Sequence, residues 1–129
     1  HGAKMLYAYG EATVPKITVI LRKGYGGAYL AMCSKELGAD MVYAWPEAEM
    51  AVMGAAAAIE VIYRKLSPEE RTEKIKEYEE QFLNPYEAAH MGYVDEIIAP
   101  EDTRSRVIGV LNNMDIDVQG KKPHGNIPL

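Results

Sequence analysis

Short apolar runs recur along the chain between longer stretches of mixed polarity. Residues 17–21 (ITVIL) form a β-branched run without polar alternation, which predicts a buried strand. Residues 41–45 (MVYAW) predict a second buried strand, which Pro46 ends. Residues 48–53 and residues 94–98 predict two shorter strands further along the chain.

The stretches between these runs carry the composition and end signals of helices. The clearest start is Ser67-Pro68-Glu69-Glu70, where a serine N-cap is followed by a proline at the first helical position and a capping-box glutamate. By similar signals, and with Gly10, Gly38 and Gly92 as stops, helices are predicted over residues 1–9, 28–37, 54–65, 85–91 and 100–113. Residues 119–129 predict an extended tail.

Strands and helices alternate along most of the chain, which is typical of an α/β fold with parallel strands. The length of 129 residues fits one small domain, and no repeat or linker divides it. Each crossover between parallel strands is expected to have the usual right hand.

Composition and charge narrow the classes of function. The net charge of −5 gives no basic surface that would predict binding to nucleic acid. No apolar run is long enough to predict a helix that spans a bilayer. Cys33 is the single cysteine, so it excludes an internal disulfide and is expected to be a buried, inert thiol in a reducing compartment. The histidines show no Cys/His spacing that would predict a metal site.

A glycine-rich turn carries the chemistry that the sequence suggests. Residues 24–27 (GYGG) follow the first strand and precede a helix, and the first backbone N–H groups of a helix have no partner within it. Such groups can stabilise a developing oxyanion, which makes Gly26-Gly27-Ala28 the candidate. Taken alone, the motif fits a closely packed turn better, because Tyr29 replaces the last glycine of a dinucleotide-binding motif and no P-loop lysine follows.

A longer string around this turn adds a resemblance. Residues 12–29 (ATVPKITVILRKGYGGAY) resemble the carboxyltransferase family of biotin-dependent carboxylases. Further matches keep the family order over nearly the whole chain: residues 1–4 (HGAK), 43–46 (YAWP), 51–54 (AVMG), 84–89 (NPYEAA), 92–95 (GYVD), 103–104 (TR) and 124–129 (HGNIPL). The chain is most similar to the branch with the propionyl-CoA carboxylase β subunits and the methylmalonyl-CoA decarboxylase α subunits.

The resemblance implies an α/β fold of the crotonase-like (ClpP/crotonase) ββα superhelix type. Family subunits have two such domains, and residues 1–129 resemble only the later part of the second, the C-terminal carboxyltransferase domain. The N-domain is then absent from this chain, and residues 119–129 are the extended tail that ends a subunit. The isolated chain is expected to be inactive.

The implied activity is transfer of a carboxyl group between carboxybiotin and an acyl-CoA of the propionyl-CoA/methylmalonyl-CoA class. In the family, the N-domain of one subunit binds the acyl-CoA and faces the C-domain of its partner, which binds biotin brought by a biotin carboxyl carrier protein. The resemblance therefore implies a homo-oligomer with its active site at a subunit interface, biotin as the cofactor and no metal in this chain. The expected location is the cytoplasm, or the mitochondrial matrix in a eukaryote.

The site residues follow from the same resemblance. The backbone N–H groups of Gly27 and Ala28 would form the oxyanion hole for the carbonyl oxygen of biotin. Gly26, Tyr25 and Tyr29 would belong to the biotin-binding site. Tyrosines in such places more often only pack with the hydroxyl bonded to a partner, so a structural role for both tyrosines stays open.

Leu30 is where the chain departs from part of the family. Propionyl-CoA carboxylases commonly have an aspartate at the matching position, which influences the choice of acyl chain. An apolar residue there is more similar to the methylmalonyl-CoA decarboxylases. Leu30 is therefore the expected substrate-specificity residue, and the direction of the reaction, carboxylation or decarboxylation, stays open.

Two other classes of function fit some of the same residues. A hydratase or isomerase of the crotonase fold would need a base near its oxyanion hole, and Glu47 and Glu49 are candidates because alternate strand residues share a face. With Pro46 beside them, a solvated turn fits these carboxylates better. A non-catalytic assembly fragment is the other alternative, and its uncovered apolar surface would promote self-association.

Overall fold

The computed structural model describes residues 1–114, which form a mixed α/β fold. In chain order the elements are α1 (Gly2–Glu11), β1 (Ile17–Ile20), β2 (Lys23–Tyr25), α2 (Gly26–Ala31), β3 (Met41–Ala44), β4 (Glu49–Ala51), α3 (Ala55–Ile62), α4 (Pro68–Phe82), α5 (Pro85–His90), β5 (Glu96–Ile97), a 3₁₀ turn (Pro100–Asp102) and α6 (Thr103–Asn113). The tail predicted at residues 119–129 lies outside the described residues.

Parallel pairing joins the strands into two small sheets. The first has the order β1-β3-β5, with Ile17 paired to Met41. The second joins β2 to β4, with Tyr25 opposite Ala51. The prediction of an α/β chain with parallel strands is confirmed.

The core lies around β3, the central strand of the first sheet. Val42, Tyr43 and Ala44 are all buried, so both faces of this strand are covered. The apolar cluster on one side consists of Ile20, Cys33, Ala39, Val42, Ala44, Ala48, Met50, Ala88 and Val94. Because β1 is an edge strand, only its last residue is buried, although its sequence predicted a fully buried strand.

Side chains from two of the later sequence motifs form hydrogen bonds that stabilise the first sheet. Asp95 accepts the backbone N–H of Val42 at 2.8 Å, and its two oxygens each lie 2.8 Å from the Lys35 ammonium. The indole N–H of Trp45 donates to the Thr103 hydroxyl at 2.9 Å and so ties α6 to the end of β3. Two of the sequence motifs, residues 92–95 and 103–104, therefore contribute to the scaffold.

The helix starts confirm the capping signals. Ser67 accepts the backbone N–H of Glu70 at 3.3 Å, and the Glu70 carboxylate accepts the backbone N–H of Ser67 at 3.0 Å, which completes the predicted capping box. Asn84 accepts the backbone N–H of Glu87 at 3.0 Å at the start of α5. Both helices begin at the proline that the sequence placed at their first position.

The structure corrects three local predictions. Residues 24–27 were expected to form a turn, but Gly24 and Tyr25 belong to β2, because pairing with the distant β4 supplies hydrogen bonds that a local pattern does not show. The helix expected over residues 28–37 begins at Gly26 and ends at Ala31, and the left-handed backbone of Cys33 (φ +71°) keeps it from continuing. Gly10 lies inside α1 rather than after it.

Candidate active site

The glycine turn lies where β2 runs directly into α2. Tyr25 is the last residue of β2 and the N-cap of α2, with an extended backbone (φ −113°, ψ 133°). Gly26, Gly27 and Ala28 are the first three residues of the helix, so their backbone N–H groups have no partner within it. The turn therefore presents a group of main-chain donors at the start of α2.

Gly26 occupies a position that only glycine fits. Its φ of +54° lies in the left-handed region that side chains disfavour. A Cβ at this residue would lie 2.8 Å from the carbonyl oxygen of Val52, closer than side-chain carbons pack against oxygen. The segment that follows β4 therefore closes directly against the turn.

Gly27 and Ala28 face open space instead. Both residues are exposed, and no heavy atom outside the turn lies within 4 Å of the position of a Cβ at Gly27. A ligand can therefore approach the backbone closely at this step. Main-chain N–H donors that are fixed and accessible in this way can stabilise a developing negative charge on oxygen.

Tyr25 is held by contacts with its hydroxyl and its ring. The hydroxyl donates a hydrogen bond to the Glu49 carboxylate on β4, and the Lys23 ammonium lies 5.9 Å from the ring centroid. Burial, followed by the hydrogen bond and the negative charge of Glu49, raises the pKa of Tyr25 to about 12. The phenol therefore stays protonated at neutral pH and acts as a donor.

Tyr29 packs beneath the turn, against the apolar core. Its ring lies 3.4 Å from the position of a Cβ at Gly24, so that glycine leaves room for the ring. Its hydroxyl is buried and has no well-formed hydrogen bond among the described residues. Burial and then the charge of Glu36 raise the pKa of Tyr29 to about 12, against a smaller opposing effect of the Lys35 backbone.

The remaining predicted residues lie around this turn in different settings. Leu30 is on α2 and is 43% exposed. Glu47 is exposed in the turn before β4, as predicted. The same prediction was wrong for Glu49, which is a half-buried residue of β4 and accepts the hydrogen bond of Tyr25. The two-residue spacing of these glutamates gave no sign of that partner.

Metal binding, membrane insertion and thiol chemistry are the other properties that bear on this part of the chain. Within residues 1–114, no three His, Cys, Asp or Glu side chains are grouped so that they could hold a metal ion. None of the helices described there combines the length and apolarity needed to cross a membrane. Cys33 is buried as predicted, and burial raises the pKa of its thiol.

A parallel α/β chain that exposes main-chain donors at a glycine step fits the class of enzymes that stabilise an anionic oxygen with backbone amides. The chain belongs to the carboxyl transferase domain family, whose match covers residues 1–125. The resemblance noted in the sequence is therefore confirmed.

Two similar proteins are both named for reactions of methylmalonyl-CoA. The chain is 56% identical over 131 residues to the α subunit of methylmalonyl-CoA decarboxylase from Veillonella parvula, a match that covers 100% of this chain and 25% of that subunit. It is 57% identical over 136 residues to the methylmalonyl-CoA carboxyltransferase 12S subunit of Propionibacterium freudenreichii subsp. shermanii, covering 99% of this chain and 26% of that subunit.

A solved structure supports the fold. The crystal structure of transcarboxylase 12S, a hexamer with methylmalonyl-CoA and methylmalonic acid bound, matches with a TM-score of 0.86 at 56% identity. The match covers 100% of this chain and 26% of that one. The chain thus spans about a quarter of the length of the relatives that it matches.

Proposed function

We propose that this chain supplies the biotin side of a carboxyltransferase site, which moves a carboxyl group between carboxybiotin and an acyl-CoA of the propionyl-CoA/methylmalonyl-CoA class. Family membership supports the type of reaction, and the similar relatives support the substrate class. The observation that carries the proposal is the exposed main chain at Gly27 and Ala28, with no heavy atom outside the turn within 4 Å of a Cβ position at Gly27.

The residues present fit this role through their backbone. Biotin, when bound, would supply the ureido nitrogen that accepts the carboxyl group from the acyl-CoA or returns it. The N–H groups of Gly27 and Ala28 would donate hydrogen bonds to the carbonyl oxygen of biotin and stabilise negative charge on that oxygen. Because these donors are fixed in advance, no reorganisation is needed when the charge develops.

Neighbouring residues complete the proposed site. We assign Gly26, Tyr25 and Tyr29 to the biotin-binding region, where Gly26 permits the tight turn, Tyr25 precedes it and Tyr29 packs beneath it. We assign acyl-chain selection to Leu30, which lies exposed on the same helix. No side-chain base is required if carbon dioxide is released and recaptured within the site.

The proposal extends to the setting of the site. We propose that residues 1–129 correspond to the later part of a crotonase-like C-domain. An N-domain of a partner subunit would bind the acyl-CoA, and a biotin carboxyl carrier protein would deliver biotin, in the cytoplasm or the mitochondrial matrix. We further propose a homo-oligomer with the site at a subunit interface; the hexamer assembly of the similar transcarboxylase 12S supports the formation of an oligomer.

The test uses a chimaeric subunit in which this chain replaces the matched quarter of the Veillonella parvula subunit. Release of carbon dioxide from methylmalonyl-CoA is measured with and without free biotin, beside the unaltered subunit. We expect biotin-dependent release by the chimaera. Gly27→Leu should lower it about 10²-fold or more, because the side chain fills the space in front of the N–H donors and removal of such stabilisation has effects of this size.

Gly109→Leu is the matched control. Gly109 is also exposed, lies in a helix and has no heavy atom within 4 Å of a Cβ position, so a leucine is tolerated there without affecting the turn. Thermal unfolding of both variants confirms that they remain folded. Release that does not depend on biotin, or that Gly27→Leu leaves unchanged, would contradict the proposal.

A further inference from the structure

A side-chain bridge joins β2 and β4 beside the proposed biotin site. The Tyr25 hydroxyl donates to the Glu49 carboxylate, and the backbone N–H of Glu49 donates to the carbonyl oxygen of Arg22 at 2.5 Å. A ring carbon of Tyr25 also lies 3.5 Å from the position of a Cβ at Gly54, the N-cap of α3. Tyr25 is thus in contact with the partner strand and with the helix start that follows it.

The bridge matters because the sheet that it spans is short. Each of β2 and β4 has three residues, so few main-chain hydrogen bonds hold the strands in register. Tyr25 immediately precedes Gly26, and the carbonyl oxygen of Val52, the residue after β4, closes against Gly26. A shift of β4 relative to β2 would therefore move the start of α2.

We infer that Glu49 is a positioning residue, which acts through Tyr25 to fix the direction of the Gly27 and Ala28 N–H groups. The inference rests on the function proposed above for those groups. No hydrogen bond described for the turn joins Glu49 to Gly27 or Ala28. Its carboxylate accepts the Tyr25 hydroxyl, and its backbone N–H donates to the carbonyl oxygen of Arg22, the residue before β2. Its effect on transfer therefore passes through the geometry of the turn.

The chemistry of the pair suits this role. A phenol that remains protonated keeps donating to the carboxylate over the whole neutral range, so the bridge does not open as pH varies there. The same bond occupies one of the two Glu49 carboxylate oxygens and holds the side chain beside Tyr25. Glu47, the other carboxylate considered, lies exposed in the preceding turn.

The experiment measures biotin-dependent turnover of methylmalonyl-CoA by the chimaeric subunit. We expect Glu49→Ala and Tyr25→Phe each to lower kcat about tenfold or more, because small displacements of a reacting geometry have effects of this order. The KM for methylmalonyl-CoA should stay unchanged, since the proposed function places the thioester on the N-domain of a partner subunit. Glu49→Gln keeps an acceptor for the Tyr25 hydroxyl and should retain most of the kcat.

Two further variants make the test specific. The double variant Glu49→Ala/Tyr25→Phe should lose no more activity than either single variant, because both remove the same bond. Glu47→Ala removes a nearby carboxylate outside the bridge and should behave like the unsubstituted chimaera. Thermal unfolding is measured for each variant. If Glu49→Ala is unfolded, the kcat values of Tyr25→Phe and Glu49→Gln are compared instead.

Several outcomes would overturn the inference. Additive losses in the double variant would show that the residues act separately. If Glu49→Gln is folded but inactive and also loses one limb of the pH–rate profile, Glu49 acts as a base instead. If Glu47→Ala lowers kcat as much as Glu49→Ala does, the effect is not specific to the bridge. An unsubstituted chimaera without biotin-dependent release, beside an active parent subunit, would overturn the proposed function itself and this inference with it.

Discussion

The turn contains two adjacent glycines, Gly26 and Gly27, whose surroundings differ. Gly26 has a left-handed backbone and lies against the Val52 carbonyl, whereas Gly27 faces open space. We expect Gly26→Ala to destabilise the fold by about 1–3 kcal/mol, the usual scale of stored backbone strain. Gly27→Ala should change stability by less than about 1 kcal/mol, since alanine is accepted at a helical position without strain. Urea unfolding compares the two variants, and equal midpoints would contradict this difference.

The two tyrosines at the turn predict how stability depends on pH. Folding raises the pKa of Tyr25 and of Tyr29 from 10.0 to about 12, so the folded chain holds these phenolic protons more tightly than the unfolded chain. The resulting stabilisation is fully present below pH 10 and is lost as the pH rises toward 12. Urea midpoints between pH 9 and pH 11.5 should therefore fall.

Variants assign that fall to particular residues. Tyr29→Phe should flatten the loss of stability because it removes one of the two perturbed phenols. Tyr86→Phe is the control, since this side chain is 60% exposed. A fall of equal steepness in the parent chain and in Tyr29→Phe would show that Tyr29 does not contribute.

At the scale of elements, α4 depends on the capping box at its start. Ser67→Ala removes the acceptor for the Glu70 backbone N–H and should destabilise the fold by about 1 kcal/mol, with less helix in circular dichroism. Ser67→Asp keeps an acceptor at the N-cap and should retain most of the stability. Thr72→Ala, which removes a hydroxyl from the interior of the same helix, controls for loss of a side chain. A Ser67→Ala variant as stable as the parent would refute a contribution from the cap.

Local signals predicted the elements that depend on nearby residues. The box at Ser67 and the start at Asn84 were readable because each involves groups within a few residues of one another. The apolar run of β3 was also readable, since this strand is covered on both faces. Elements of this kind can be predicted from a short window of sequence.

The elements that were predicted incorrectly depend on distant partners. Lys23–Tyr25 forms a strand only because β4 lies beside it, and a glycine-rich window gives no hint of that pairing. The early end of α2 depends on the packing of Cys33 in the core, which favours its left-handed backbone over another helical turn. The bridge from Tyr25 to Glu49 was not predicted for the same reason. The place of Gly26-Gly27-Ala28 between strand and helix made this stretch a candidate, and the family resemblance then assigned the Gly27-Ala28 step.

Across the whole molecule, many large apolar side chains lie on the surface of the described residues. Val52 is 82% exposed, and Met91, Tyr86 and Met32 are more than half exposed. Because exposed apolar side chains favour association, we expect the isolated chain to form dimers or larger species at micromolar concentration. Sedimentation velocity measures this, with Val52→Ser as a variant that should weaken association. A monomer across the concentration range would contradict the expectation.

Cys33 gives this protein a built-in reporter. It is the single thiol of the sequence, it is 4% exposed, and its carbonyl oxygen accepts the Thr18 hydroxyl at 2.6 Å beneath the turn. A thiol reagent can react with it only during a transient opening of the region where β1 and α2 meet. The rate of thiol labelling would therefore measure how often that region opens, without any substrate or cofactor present. Comparing this rate between variants would show which substitutions change the opening.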